Sequence, residues 1–400
     1  MERIILHIDV NNAFLSWSAV EMLKNGAQID IRNIPAIIGG DEKQRRGVVL
    51  AKSMKAKECG IKTGEPIYFA KQKCSNLKIY PSNHKLYRKY SDDLYKLFLE
   101  YTDKIERFSI DECFLDMTEF LLKSENILEK AQNIKERIKK ELGFTVNIGI
   151  STNKLLAKMA SDFEKPDKIH TLYPNEVESK MWILPVSELF MVGKKTIPKL
   201  NNMGIKTIGN LAKADINKLV KIFGKFGKTM WEYANGIDNS EVISQYVQPK
   251  CIGNSVTLPY DISDINKLNE VLLDLAEHVA YRLRKNNLYC KVINVQIKTK
   301  NFKVYSHQKK LNNYINNTKD IYINAKELLQ ELYNNEYIRL IGLRVDVLSN
   351  DKQEQLSIFD SNKNDKQEKI DKVVDNLKEK YGYNKITRAG RMNIDKIIHD

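Results

Sequence analysis

Ile4-Ile-Leu-His-Ile-Asp-Val10 is the stretch on which the fold turns. Ile4, Leu6, Ile8 and Val10 alternate with Ile5, His7 and Asp9, and this period of two predicts a β-strand with Asp9 near its end. Ser109–Asp116 and Thr145–Ile150 are short segments of the same kind. Between them Ile127, Ala131, Ile134, Ile138 and Leu142 recur at helical spacing, which predicts an amphipathic helix ending near Gly143. Strands separated by helices predict one sheet with helices packed on a face, so residues 1 to about 173 form a mixed α and β block. Asp30–Lys78 interrupts it with a Gly-rich, basic, poorly periodic texture that predicts a small insertion domain.

Farther along, Pro174–Asn239 is helical in pattern and broken by Gly193, Gly204, Gly209, Gly224, Gly227 and Gly236, and a polar link, Asn239–Lys250, ends it. Lys291–Thr299 and Arg339–Val347 alternate apolar and polar residues as half-buried strands do. With helical segments at Ile265–Asn286 and Asn324–Asn334 they predict a small α+β domain. After Leu348 the chain turns polar, and Ile370, Val373, Val374 and Leu377 then mark one more amphipathic helix.

At 400 residues the chain exceeds the ~250–300 that a single core usually serves, which predicts two to four domains. A hydrophobic content of 42%, a mean hydropathy of −0.45 and the lack of any apolar run near the ~20 residues of a membrane span argue for a protein that folds in water. Met-Glu-Arg leads straight into the first strand without the features of a signal peptide, so the expected compartment is the cytoplasm. Cys59, Cys74, Cys113, Cys251 and Cys290 include no Cys-x-x-Cys pair, which argues against a disulfide framework or a zinc ribbon. Lys+Arg at 65 against Asp+Glu at 51 gives a net charge of +14, and a polyanion, nucleic acid ahead of an anionic membrane surface, is the expected partner.

Asp9 and the later Ser109-Ile-Asp-Glu112 are the sharpest constellation. Two strand-borne carboxylates side by side, with a third, suit two Mg2+ ions about 3.5–4 Å apart, the arrangement that drives phosphoryl transfer. Capping or solvation is the competing reading of such acids. Against it stands the apolar setting of Asp111, among Phe108, Ile110, Phe114 and Leu115, where a carboxylate is costly without a nearby cation.

His7-Ile-Asp-Val-Asn-Asn-Ala-Phe14 together with Phe108-Ser-Ile-Asp-Glu-Cys-Phe-Leu-Asp116 resembles the paired signatures of the Y-family, or translesion, DNA polymerases of the DinB/UmuC type. Gly149-Ile-Ser-Thr-Asn-Lys-Leu-Leu-Ala-Lys158, Glu164-Lys-Pro-Asp167, Phe223-Gly-Lys-Phe-Gly227 and Gly236-Ile-Asp238 follow in that family's order, so the resemblance covers roughly residues 2–348 and continues into the tail. It implies an α+β multidomain right hand: a ferredoxin-like palm (residues 1–11 and 80–173), small fingers (12–79), a helical helix-hairpin-helix thumb (174–240), an α+β little finger (246–348) and a tail (349–400). It also implies a cytoplasmic monomer, without membrane attachment, that uses primer-template DNA and deoxynucleoside triphosphates and copies damaged templates with low fidelity.

The resemblance further implies site residues. Asp9, Asp111 and Glu112 would be the catalytic, metal-binding carboxylates, with the Val10 carbonyl as a further ligand of two Mg2+ ions. Asn11, Asn12 and Ala13 would offer backbone amides to the triphosphate. Phe14 would be the steric gate that excludes a 2′-hydroxyl, and Lys165 and Lys57 would carry charge to the phosphates. Many members have Thr, Tyr and Arg in the fingers where this chain has Ala51, Met54 and Lys57; Lys57 lacks the planar fork of Arg, and Lys52 and Ser53 are the nearest residues able to compensate.

Val186–Leu200 has the pattern helix, turn, helix and resembles a helix-hairpin-helix, with Met191 in place of the usual first hairpin glycine. Gly193, Lys194 and Lys195 there, and Gly224, Lys225, Gly227 and Lys228 in a second hairpin, would receive backbone phosphates. Arg282, Arg284, Lys285, Lys291, Lys298, Lys300 and Lys303 would track the duplex in a salt-dependent manner. In the tail, Gln355, Leu356, Ile358 and Phe359 resemble the short motif with which bacterial polymerases bind the sliding clamp. The rival readings are a catalytically weak or inactive DNA- and clamp-binding accessory subunit, and a two-metal nuclease. Primer extension separates the three.

Overall fold

The computed structural model describes residues 3–40, 45, 47–121, 126–245, 248–351, 363–382 and 386. It divides into two compact units, residues 1–40 with 48–246, and residues 41–47 with 247–400.

In chain order the first unit comprises β1 (Ile5–Val10), α1 (Ala13–Lys24), β2 (Ala36–Gly39), β3 (Val49–Lys52), α2 (Met54–Glu58), α3 (Ile67–Lys73), β4 (Lys78–Pro81), α4 (His84–Phe98), β5 (Ile105–Arg107), β6 (Glu112–Asp116), α5 (Thr118–Leu121), α6 (Ile127–Arg137), β7 (Val146–Ser151), α7 (Lys154–Asp162) and β8 (Ile169–Thr171). Four helices complete it: α8 (Ile197–Asn202), α9 (Ile208–Ala212), α10 (Ile216–Phe223) and α11 (Lys225–Ala234).

Five strands form one sheet in the order β5-β6-β1-β7-β8, with β1 at its centre and antiparallel to both neighbours. Alternation sorts β1 onto two faces. Leu6, Ile8 and Val10 enter the main core with Trp17, Tyr87 and Phe98 of α1 and α4, while Ile5 packs with Phe114 and Ala157 on the opposite face. Helix α7 covers that second face and comes so close that a Cβ on Gly149 would lie 1.9 Å from the Ala157 carbonyl oxygen, so only glycine fits there. Asn153 caps α7 by accepting from the Leu156 amide. The helix predicted over 127–142 is α6 followed by a wider π turn, Ile138–Leu142, which Gly143 closes at φ 85°.

The insertion builds its own sheet, β3-β2-β4. Because β4 runs parallel to β2 from Lys78 to Pro81, this module extends past residue 79; conversely α1, beyond residue 12, puts Leu15, Trp17 and Ala19 into the central core. In the helical block, Val186–Glu188 is a single 3₁₀ turn rather than the predicted helix, since Pro185 and Leu189 at its two ends are extended.

The second unit contains β9 (Cys251–Ile262), α12 (Ile265–Lys285), β10 (Tyr289–Thr299), β11 (Val304–Ile315), α13 (Thr318–Leu332), β12 (Ile338–Ser349) and α14 (Lys363–Tyr381). Its sheet, in the order β11-β10-β12-β9, shares one core with α12 and α13. Helix α13 begins at Thr318, ahead of the predicted Asn324, where Asn317 accepts from the Asp320 amide. Helix α14 docks through charge. Arg284 donates to Asp375 at 2.6 and 2.9 Å and to Asp371 at 3.3 Å, and Lys378 donates to Glu277 at 2.8 Å with both side chains buried. Its apolar residues Ile370, Val373 and Leu377 remain exposed.

Candidate active site

The β1–β6 pairing sets Asp9 directly opposite Glu112, and in an antiparallel ladder such partners project from the same face. One residue earlier, the Asp111 carbonyl accepts the Val10 amide at 3.0 Å. A strand end and the turn entering its neighbour thus bring Asp9, Val10, Asp111 and Glu112 together, while Ser109 Oγ holds Asp111 by donating to Oδ1 at 2.6 Å.

Burial pushes the Asp9 carboxyl up to about 6, against the pull of the Lys165 ammonium, and the nearby Glu112 and Asp111 charges push the same way. Lys165 donates to Asp9 Oδ2 and to Asp162 Oδ1 at 2.9 Å; these two carboxylates outweigh the effect of its own burial and hold its pKa above the ordinary lysine value. Glu112 differs. Burial raises it too, but neighbouring His7 and Lys158 outweigh that and bring it down to about 2.

Among the described residues, no three His, Cys, Asp or Glu side chains form a ready-made cation cage. Each carboxylate of the trio is instead turned to a lysine or a hydroxyl, so positive charge already lies against Asp9 and Glu112. An all-oxygen donor set compensated in this way fits a hard divalent cation.

Three residues to which the sequence reading gives no role line the same face. His7 shares a face with Asp9, and its Nδ1 lies 2.7 Å from Ser161 Oγ of α7. Asn147, opposite Asp9 on the other neighbouring strand, donates to the Ser161 carbonyl at 3.0 Å and the Glu164 carbonyl at 2.6 Å, fixing the loop that carries Lys165. Lys158 donates to Glu112 Oε2 at 2.9 Å. The signal for the first two was a polar side chain inside an otherwise apolar strand.

Past β1 the chain turns at Asn12, which has φ 49° and leaves the α1 N-terminus without a side-chain cap. Asn11 differs from its expected role, because its amide already donates to the Thr145 carbonyl at 3.0 Å. Phe14 stacks on Tyr87 with centroids 4.4 Å apart and an 8° interplanar angle, which fixes the orientation of its ring. In the insertion, burial and the charge of Lys57 lower the pKa of Lys52, placing two interacting cations on that module. Ser53 cannot compensate for the missing side chains, since it caps α2 and donates to the Ile34 carbonyl.

Known proteins resemble this chain along most of its length. Family models match residues 8–162 (impB/mucB/samB family), 188–238 (DNA polymerase-iota, thumb domain) and 249–358 (impB/mucB/samB family C-terminal domain). DNA polymerase IV of Clostridium acetobutylicum is 51% identical over 97% of this chain and 98% of its own, and that of Acetivibrio thermocellus is 38% identical over 97% of each. The chain belongs to the Y-family of DNA polymerases, DinB type. A solved Y-family DNA polymerase chimera of Dbh and Dpo4 superposes with a TM-score of 0.74 at 26% identity, over 86% of this chain and 98% of the chimera. This polymerase is therefore a right-handed translesion enzyme that depends on a divalent metal and uses DNA and nucleotides as substrates.

In the polymerase's thumb, Gly193, Lys194 and Lys195 are exposed at one turn, and Gly224, Lys225 and Lys228 at the other. Gly224, at φ 63°, joins α10 to α11 where no side chain caps the second helix. Gly227 has a different task from phosphate contact: it is buried, and a Cβ there would sit 2.3 Å from the Leu219 carbonyl, so it lets α10 and α11 touch. In the little finger, Arg284 is buried against α14 and pairs with Asp371 and Asp375 rather than presenting charge outward, whereas Lys285 stays exposed, 3.9 Å from Glu379. Lys298 stays on the half-open side of β10. The motif at 355–359 lies outside the described residues. Among those described, no helix is long and apolar enough to cross a membrane.

Proposed function

We propose that Asp9, Asp111 and Glu112, with the Val10 carbonyl, hold two Mg2+ ions for template-directed insertion of deoxynucleotides opposite damaged bases. The ions would supply the Lewis acidity that activates the primer 3′-hydroxyl and neutralises charge on the triphosphate. The protein's own part is positioning. Amides at Asn12 and Ala13, with Lys57 and Lys52, cradle the phosphates. Lys165 exchanges Asp9 for phosphate oxygen, a move its part-exposed side chain permits. Phe14, braced by Tyr87, closes the space beneath the sugar.

The thumb hairpins grip backbone phosphates without reading bases, so binding weakens steeply with salt. The enzyme acts as a cytoplasmic monomer. Gln355, Leu356, Ile358 and Phe359 attach it to the sliding clamp, and loosely closing small fingers account for low fidelity. The observation that supports this reading best is the register that faces Asp9 with Glu112 while Asp111 bonds Val10. Primer extension with Mg2+ and all four deoxynucleotides, on intact and lesion-bearing templates, tests it. Extension past the lesion is the expected outcome; shortened or unchanged primers would discard it.

A further inference from the structure

Two lysines meet the acidic face, and they are held very differently. The Lys165 side chain is 38% exposed and sits on a loop after α7. The Lys158 side chain is 11% exposed and sits within α7 itself. Its Nζ lies 5.5 Å from the ring centroids of both Phe108 and Phe190, so two aromatic faces enclose the ammonium. Phe108 and Phe190 touch edge to face, and Phe190 stacks in turn on Tyr233 of α11, which fixes the walls of this cage.

The contacts on Glu112 are one-sided. Lys158 Nζ donates to Oε2 at 2.9 Å, and His7 Nε2 faces the same oxygen at 3.6 Å. Neither touches Oε1. A caged ammonium cannot follow a carboxylate that swings, and its hydrogen bond draws electron density at Oε2 away from a cation, leaving Oε1 as the better donor.

The geometry points to Lys158 as a positioning residue that reserves one oxygen of Glu112 and so restricts it to single-oxygen coordination of the metal. This rests on the metal reading of the carboxylates given above. Single-oxygen coordination binds a cation less tightly but keeps Glu112 in one orientation during turnover, so the lysine exchanges metal affinity for rate. A lysine that merely stabilised the fold would have no such opposed effects.

The test is Lys158→Met in the full-length enzyme on primer-template DNA. Mn2+ affinity is measured by electron paramagnetic resonance without nucleotide, and kcat and KM by single-nucleotide insertion. The expected result is Mn2+ binding at least about 3-fold tighter, kcat at least about 10-fold lower and nucleotide KM within about 3-fold of the parent. Any other combination, including weaker Mn2+ binding together with lower kcat, overturns the proposal. Phe190→Leu, which opens one wall of the cage, serves if Lys158→Met does not fold; it should shift both quantities in the same directions by smaller factors, and parental values would count against the proposal. Glu112→Gln separates the two levels of the reading. Retained Mn2+ binding and turnover in that variant would remove the metal assignment itself, whereas their loss beside a parent-like Lys158→Met would remove only the role of Lys158.

Discussion

The palm sheet and the little-finger sheet accommodate charge under opposite conditions. β1 and β7 are buried along their whole length, so His7, Asp9 and Asn147 are exceptions that each need a partner, and each has a neighbour positioned for it on α7 or the loop after it. β10 alternates buried and half-buried residues, and Lys298 sits on its wetter side at little cost. A charge on a sheet covered on both faces is therefore specific and irreplaceable, whereas one on a half-open sheet is one contribution among many.

The strongest way to break this contrast is to remove a palm carboxylate. Asp111→Ala should lower primer extension by at least about 10³-fold while DNA affinity, measured by fluorescence anisotropy, stays within about 3-fold. Phe14→Ala should relax the preference for deoxynucleotides over ribonucleotides by about 10²-fold in competing single-nucleotide insertions, since the loss is steric and confined to the sugar.

Stability should divide along the same line. Gly149→Ala, whose Cβ would meet backbone, should cost about 3 kcal/mol or more in urea unfolding of the first unit. Gly342→Ala, whose nearest neighbour would be Ser255 Cβ at 3.1 Å, should cost the second unit about 1 kcal/mol or less. Asp9 adds a pH signature in the metal-free protein. Its pKa is about 6 folded against 3.8 for the free side chain, so the folded state binds the proton more tightly and stability falls as pH rises from about 4 to about 6, by up to roughly 2–3 kcal/mol. Asp9→Asn should flatten that segment of the stability profile. The smallest effect belongs to the open sheet: Lys298→Ala should weaken DNA binding about 2-fold and reduce the log–log salt slope by about 1.

The same physics explains what the sequence revealed. The period of two located β1, β6 and β7 because strand alternation is local, and short signatures, equally local, singled out Asp9, Asp111, Glu112 and Phe14 as candidates. Lys158, Asn147 and His7 were given no role because their meaning depends on α7 lying on the acidic face, a contact between segments separated in sequence. Gly227 was taken for a phosphate contact because a packing glycine and a hairpin glycine look alike in one dimension. Arg284 was taken for a DNA contact because nothing local announces that α14 returns to α12 with acids at matching positions. That helix also inverts the usual rule, docking by its charged side and leaving Ile370, Val373 and Leu377 in solvent.

The buried Lys378–Glu277 pair has a consequence for α14 itself. Both side chains lie away from water, so taking one charge away costs the other a partner it cannot replace with solvent, and exchanging both for apolar residues of similar size should disturb the docked helix less than exchanging either alone.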